Sequence, residues 1–175
     1  LPVAGSQAAI QLLPALLPRA AVACVAPLYA EHPHCWQKAG HHVRLIEGSL
    51  SRALAAATPY VLLCNPNNPT ATAHTRAALL HAAGELQRRG GWLIVDEAFI
   101  DPTPADSVAD LAGTPAAPRL IVLRSLGKFF GLAGARVGFV LAAPELLQRM
   151  RAELGPWTVS GPARSVARRA LADLD

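Results

Sequence analysis

Six short apolar runs punctuate this chain, at residues 21–26, 43–46, 60–64, 92–95, 120–123 and 137–141. Between them lie stretches with helical periodicity, at 8–17, where Ile10, Leu13 and Leu17 share one face, and at 49–57, 73–89 and 145–154, the last opened by Pro144. A strand covered on both faces reads as a continuous apolar run, and a helix between successive strands is the crossover that lets them lie parallel. The alternation therefore predicts an α/β fold, a three-layer α/β/α sandwich with a mostly parallel sheet. Residues 102–118 are proline-rich and read as irregular, with one helical turn at 108–111. Residues 155–162 break the chain before a final amphipathic helix. No internal repeat or low-complexity tract competes with this reading.

Composition narrows the class of function. At 175 residues, 52% apolar and 16% charged, the chain has enough material for one domain with a real core and does not read as disordered. Its longest apolar stretches are broken by Pro14, Pro18 and Pro27 and fall short of the roughly 18 residues a membrane span needs. With no basic leader before an apolar run, the expectation is no membrane and a cytoplasmic protein. Cys24, Cys35 and Cys64 are odd in number and form no Cys-x-x-Cys pair, which fits free thiols. The net charge of +4 is spread thinly. Its densest cluster, Arg164, Arg168 and Arg169, has no aromatics interleaved, so it reads as a solvated helix face and no nucleic acid is expected. His32, His34, Cys35, His41 and His42 match no zinc spacing, so no metal is expected. The chain starts at Leu1 without methionine and stops inside the final predicted helix, which reads as a piece of a longer protein.

Four segments carry the candidate chemistry. In 125–136 a single lysine, Lys128, stands three positions after Ser125 and eight before Arg136, just beyond the apolar run 120–123. A lysine amine, with an ordinary pKa of about 10.4, becomes a good nucleophile when desolvation or a neighbouring cation favours its neutral form. Arg136 and the apolar neighbours are predicted to supply both. Asn65-Pro66-Asn67-Asn68-Pro69-Thr70 makes a turn at the carboxyl end of a predicted strand, where open α/β sheets bind ligands. Asp96 ends another apolar strand, and a carboxylate there needs a partner. Gly5-Ser6-Gln7 opens a helix, where free backbone N–H groups can receive an anion, although Ser6 serves equally as an ordinary N-cap.

In this order and spacing, the segments resemble the fold-type I pyridoxal-phosphate (PLP) enzymes of the aminotransferase class I/II branch, over essentially the whole chain. The resemblance implies the PLP-binding large domain across residues 1–155, with the 137–141 strand antiparallel. It also implies the start of a connection to a C-terminal small domain across 156–175. It implies PLP as cofactor, a homodimer, and a small phosphorylated amino acid as substrate. Lys128 would form the imine with the cofactor and Asp96 would pair with its pyridine nitrogen, these two being the catalytic residues. Gly5, Ser6, Gln7, Ser125 and Arg136 would cradle its phosphate. Tyr29 would stack on the ring with His32 in support, and Asn68 would donate to the phenolic oxygen. At the position of Phe99 the family usually has a tyrosine that makes a second such donation, and at Ala71 it usually has glycine. The residue that binds the substrate's carboxylate belongs to the small domain and has no counterpart here, so the chain alone is expected to be catalytically poor. The segments 96–99, 125–131 and 155–162 look like the decarboxylating lyases of the family. An aminotransferase remains the first alternative, and a non-catalytic PLP-binding module of a regulator the second.

Overall fold

The six apolar runs and a short first strand pair into one seven-stranded sheet in the computed structural model, which describes residues 1–173. In chain order the elements are β1 (Pro2–Val3), α1 (Ser6–Leu16), β2 (Ala21–Ala26), α2 (Glu31–Lys38), β3 (His42–Glu47), α3 (Leu50–Ala55) and β4 (Tyr60–Cys64). They continue with α4 (Arg76–Arg88), β5 (Trp92–Asp96), β6 (Leu120–Ser125), β7 (Gly138–Leu141), α5 (Pro144–Leu154) and α6 (Gly161–Ala172). The strand order is β1-β7-β6-β5-β4-β2-β3. Strands β3, β2, β4, β5 and β6 run parallel, and β7 is antiparallel to both of its neighbours, as expected for the last strand.

The period-2 geometry of a strand sorts each apolar run onto two faces. Val22, Cys24, Tyr60, Leu62, Ile94 and Ile121 pack against Ile10 and Leu13 of α1, Trp36 of α2, and Leu146 and Met150 of α5. The alternate residues Ala23, Val61, Leu63, Leu93, Val95 and Val122 pack against Leu50 of α3 and Leu79 and Leu86 of α4. Both faces are covered, which gives the three expected layers. Each fully buried Leu or Ile contributes about 1.5–3 kcal/mol. A smaller cluster of Leu126, Val137, Val159, Ala163 and Ala167 fastens α6 to the loop that follows β6.

From β2 the chain crosses through α2 to β3 at the sheet edge. It returns over the opposite face through α3 to β4, on the other side of β2. The direction of winding therefore reverses between β2 and β4, and such a reversal opens a crevice at the carboxyl ends of the strands.

Some elements depart from the sequence reading. Helix α2 was hidden because its inward positions are His32, Cys35 and Trp36, so the first of the i, i+3, i+4 set is polar, and Pro33 sits in its first turn. Helix α4 starts at Arg76 and not at 73, because Thr75 caps it by accepting the Ala78 N–H at 3.2 Å. Strand β1 is too short to leave a periodic signal. The irregular 102–118 stretch holds two 3-10 turns, Pro104–Asp106 and Ala109–Leu111. The last helix ends at Ala172, with the Asp173 N–H on the Arg169 carbonyl. Cys24, Cys35 and Cys64 are free and buried. Among the described residues no helix is long and apolar enough to cross a membrane.

Candidate active site

The carboxyl ends of β4, β5 and β6 and the first turn of α1 surround one pocket. Ser6, Gln7, Tyr29, Asn68, Asp96, Phe99, Ser125, Lys128 and Arg136 all line it. Segments far apart in sequence thus meet at one end of the sheet. The two remaining predicted residues stand just behind the wall. Gly5 has φ +76°, a conformation that favours glycine, and a Cβ there would approach the flexible guanidinium of Arg136 to 2.6 Å at Nη2. His32, on α2, places Nε2 2.8 Å from Asp96 Oδ2.

Asp96 is 5% exposed, and each of its oxygens has one protein partner. Oδ1 accepts the Ala98 N–H at 3.0 Å and Oδ2 faces His32. A carboxylate has about four acceptor positions, so this one is held in place with capacity left for a donor in the pocket.

The three asparagines of the turn divide its work. Asn65 is fully buried, donates from Nδ2 to the His74 carbonyl at 3.2 Å and accepts the His74 N–H at 2.7 Å. Asn67 donates from Nδ2 to the Pro27 carbonyl and to Thr70 Oγ1, both at 2.8 Å. With the turn clamped by these two, Asn68 lines the pocket. Ala71 closes the turn with φ 57°, its N–H 2.7 Å from the Asn67 carbonyl. A side chain in the left-handed region costs about 1–2 kcal/mol, so the departure from glycine strains this turn.

At the other end of the pocket, α1 begins with Gly5 as N-cap, and no side chain caps it. Ser6 is therefore the first helical residue and not the cap, and its side chain faces the pocket. The open first turn, the hydroxyls of Ser6 and Ser125 and the guanidinium of Arg136 form an anion cradle. Ser125 Oγ accepts the Gly127 N–H at 3.1 Å, and Arg136, itself left-handed at φ 53°, donates from Nη1 to the Ala133 carbonyl at 3.0 Å. Gln7 donates from Nε2 to Glu31 Oε2 at 2.7 Å, tying α1 to α2.

Lys128 reaches the pocket, but not in the desolvated setting expected of it. It is exposed, and its Nζ lies 5.4 Å from the centre of the Phe99 ring. The loop after β6 leaves the sheet, with Phe129 59% exposed, so the sheet end walls the lysine on one side only. Sequence reasoning also missed Cys64. It shares strand parity with Leu62 and is the register partner of Asp96. Burial, with the Asp96 charge beside it, pushes its thiol up to about 12. The signal available was its place as the last residue of β4, on the face that continues into the pocket.

This fold has known counterparts. The sequence profile of the aminotransferase class I and II family matches residues 1–175. The chain belongs to that aminotransferase class I and II family. It is 53% identical over 173 residues to the threonine-phosphate decarboxylase of Pseudomonas aeruginosa, covering 99% of this chain and 51% of that protein. It is 44% identical over 111 residues to the histidinol-phosphate aminotransferase of Shewanella oneidensis, covering 63% of this chain and 27% of that one. The crystal structure of the histidinol-phosphate aminotransferase from Clostridium acetobutylicum superposes with a TM-score of 0.87 at 23% identity, over 99% of this chain and 54% of that one. The chain thus spans about half the length of the relatives it matches end to end. The family's cofactor is PLP, and the pocket fits it. Asp96 has capacity for a ring N–H, the cradle around Gly5 and Arg136 suits a phosphate, and Lys128 offers an amine to an aldehyde.

Proposed function

We propose that this pocket holds PLP on Lys128, and that the full-length protein decarboxylates L-threonine O-3-phosphate to (R)-1-aminopropan-2-yl phosphate, a step of cobalamin biosynthesis. The observation that carries the cofactor assignment is the buried Asp96, fixed by His32 and Ala98 yet open to the pocket. When bound, PLP supplies an electron-accepting ring that takes up the pair left when a bond to the substrate's Cα breaks. Asp96 keeps the ring nitrogen protonated by ion pairing, and His32 keeps Asp96 aimed. Ser6, Ser125, Arg136 and the first turn of α1 hold the phosphate. Asn68 donates to the phenolic oxygen, and Phe99 offers that oxygen no second donor. Tyr29 walls the ring. Lys128 Nζ would hold the cofactor, and its free amine would carry the proton that replaces the lost carboxylate on the substrate's Cα.

Residues 1–155 serve in this reading as the large domain of a cytoplasmic homodimer, with 156–175 leading to a small domain. Decarboxylation and transamination differ in which Cα bond stands perpendicular to the ring, and so in how the substrate's carboxylate is held. The decarboxylase reading is favoured because sequence similarity to such an enzyme extends across 99% of the chain at 53% identity, against 63% at 44% for the Shewanella oneidensis aminotransferase. The full-length protein should release carbon dioxide from L-threonine O-3-phosphate. It should form no glutamate from histidinol phosphate and 2-oxoglutarate; glutamate without carbon dioxide would reject the decarboxylase. Borohydride should fix PLP onto the peptide carrying Lys128, and label on any other lysine would overturn that assignment.

A further inference from the structure

Three ligand types meet at the floor of the pocket. His32, Cys64 and Asp96, all buried, place one ring nitrogen, one sulphur and one carboxylate oxygen within 4.8 Å of one another. The fold brings them together by pairing the last residues of β4 and β5 in register and laying the first turn of α2 over them. An imidazole, a thiolate and a carboxylate form a ligand set of zinc sites, with bonds of about 2.0–2.3 Å and tetrahedral edges of roughly 3.3–3.7 Å. The 2.8 Å His32–Asp96 contact would widen and the sulphur would move in by about 1 Å. Cys64 and Asp96 also line the pocket, so a fourth coordination position opens toward solvent.

The surroundings support such a site. Ala98 N–H already fixes Asp96 through Oδ1 at 3.0 Å, leaving Oδ2 on the side of the cluster. Metal sites rely on outer contacts of this kind to aim their ligands. A thiolate, a carboxylate and a neutral imidazole carry two negative charges, which a divalent cation cancels in a buried place.

We propose that, when the cofactor is absent, this pocket takes one thiophilic divalent cation of the Zn2+ or Cd2+ class on His32, Cys64 and Asp96, and that the cation and the cofactor exclude each other. As the sulphur–metal bond forms, the thiol proton leaves to solvent, and no oxidant or reductant is involved. Binding needs only the three ligands. The exclusion rests on the reading of Asp96 as the cofactor's partner, because a dication on Asp96 cancels the carboxylate charge that would hold the ring N–H and repels that cationic group.

The test uses the full-length protein stripped of cofactor and titrated with Cd2+, following the ultraviolet sulphur-to-cadmium charge-transfer band. One equivalent of Cd2+ should saturate the band. Cys64→Ser should abolish it and Cys35→Ser should keep it, while His32→Gln should weaken Cd2+ by more than about tenfold. Circular dichroism identifies variants that fold. Equilibrium dialysis of the Cys35→Ser protein should also retain one Cd2+ per chain, which tests the site even if Cys64→Ser does not fold. Absence of the band and of retained Cd2+, or a band retained in folded Cys64→Ser, overturns the site. A band that persists after borohydride has fixed PLP on the protein overturns the exclusion. Failure of borohydride to fix any PLP sinks the cofactor reading and leaves the cation site to its own result.

Discussion

Asp96 and Glu97 are adjacent carboxylates, both buried, and they behave as opposites. Asp96 faces the pocket with one partner on each oxygen. Glu97, with no exposed surface, is turned wholly into the protein: Oε2 accepts the Ser107 hydroxyl at 2.5 Å and lies 3.5 Å from Arg124, and Oε1 accepts the Val108 N–H at 2.8 Å. Arg124 continues the network to Asp101, and Arg76 pairs with Asp110 on the same irregular segment. The second carboxylate therefore pins 101–110 to β6, while the first is left incomplete. A group that takes a ligand keeps acceptor capacity turned toward solvent; a group that only holds the fold turns it toward the protein.

The contrast can be broken most directly at Glu97. Glu97→Ala leaves Ser107, the Val108 N–H and part of Arg124 unpaired and should remove about 3–5 kcal/mol of stability in urea unfolding. Borohydride-fixable PLP should stay at wild-type stoichiometry below the melting transition. Asp96→Asn should do the reverse, lowering turnover by at least about 100-fold with a melting temperature within a few degrees of wild type. Equal losses of stability and turnover in both variants would erase the distinction. The turn asparagines repeat the comparison on a smaller scale. Asn65→Ala, which orphans the His74 N–H, should destabilise by about 1–3 kcal/mol, whereas Asn68→Ala should weaken PLP retention and leave the unfolding midpoint in place. Ala71→Gly should relieve the left-handed strain and stabilise by about 1 kcal/mol, without changing PLP retention.

The finest test is pH. Burial raises Glu97 above its ordinary 4.5, against the opposing pull of Ser107, Val108 and Arg124. A raised folded value means the folded state holds the proton more tightly. The contribution of Glu97 is therefore fully present below pH 4.5 and is lost as pH rises through the raised value. Subtracting the Glu97→Gln stability profile from that of wild type should leave a difference that falls with rising pH in this acid window; a flat or rising difference contradicts the assignment.

Much of the fold was legible because apolar runs and helical periodicity are local. Strands β2 and β4 appear in the sequence with their observed ends, and the three-layer arrangement follows from the alternation. The site was legible through spacing: nine of the eleven expected residues line the pocket and the other two lie against it. Helix α2 escaped because a histidine occupies an inward position, and what makes that position inward is Asp96, which lies 64 residues away in sequence.

The sequence by itself determined which residue types arrive at the carboxyl end of each strand, since strand parity and turn chemistry depend only on near neighbours. It fixed Asp96 at the end of β5, Asn68 after β4 and a glycine ahead of α1. Only the tertiary structure decided that Cys64 stands beside Asp96 and His32, that Lys128 is exposed over Phe99, and that Asp96 stays open while Glu97 closes. Those outcomes depend on the register between β4 and β5 and on which helix covers which face, and both are settled by contacts between segments distant along the chain.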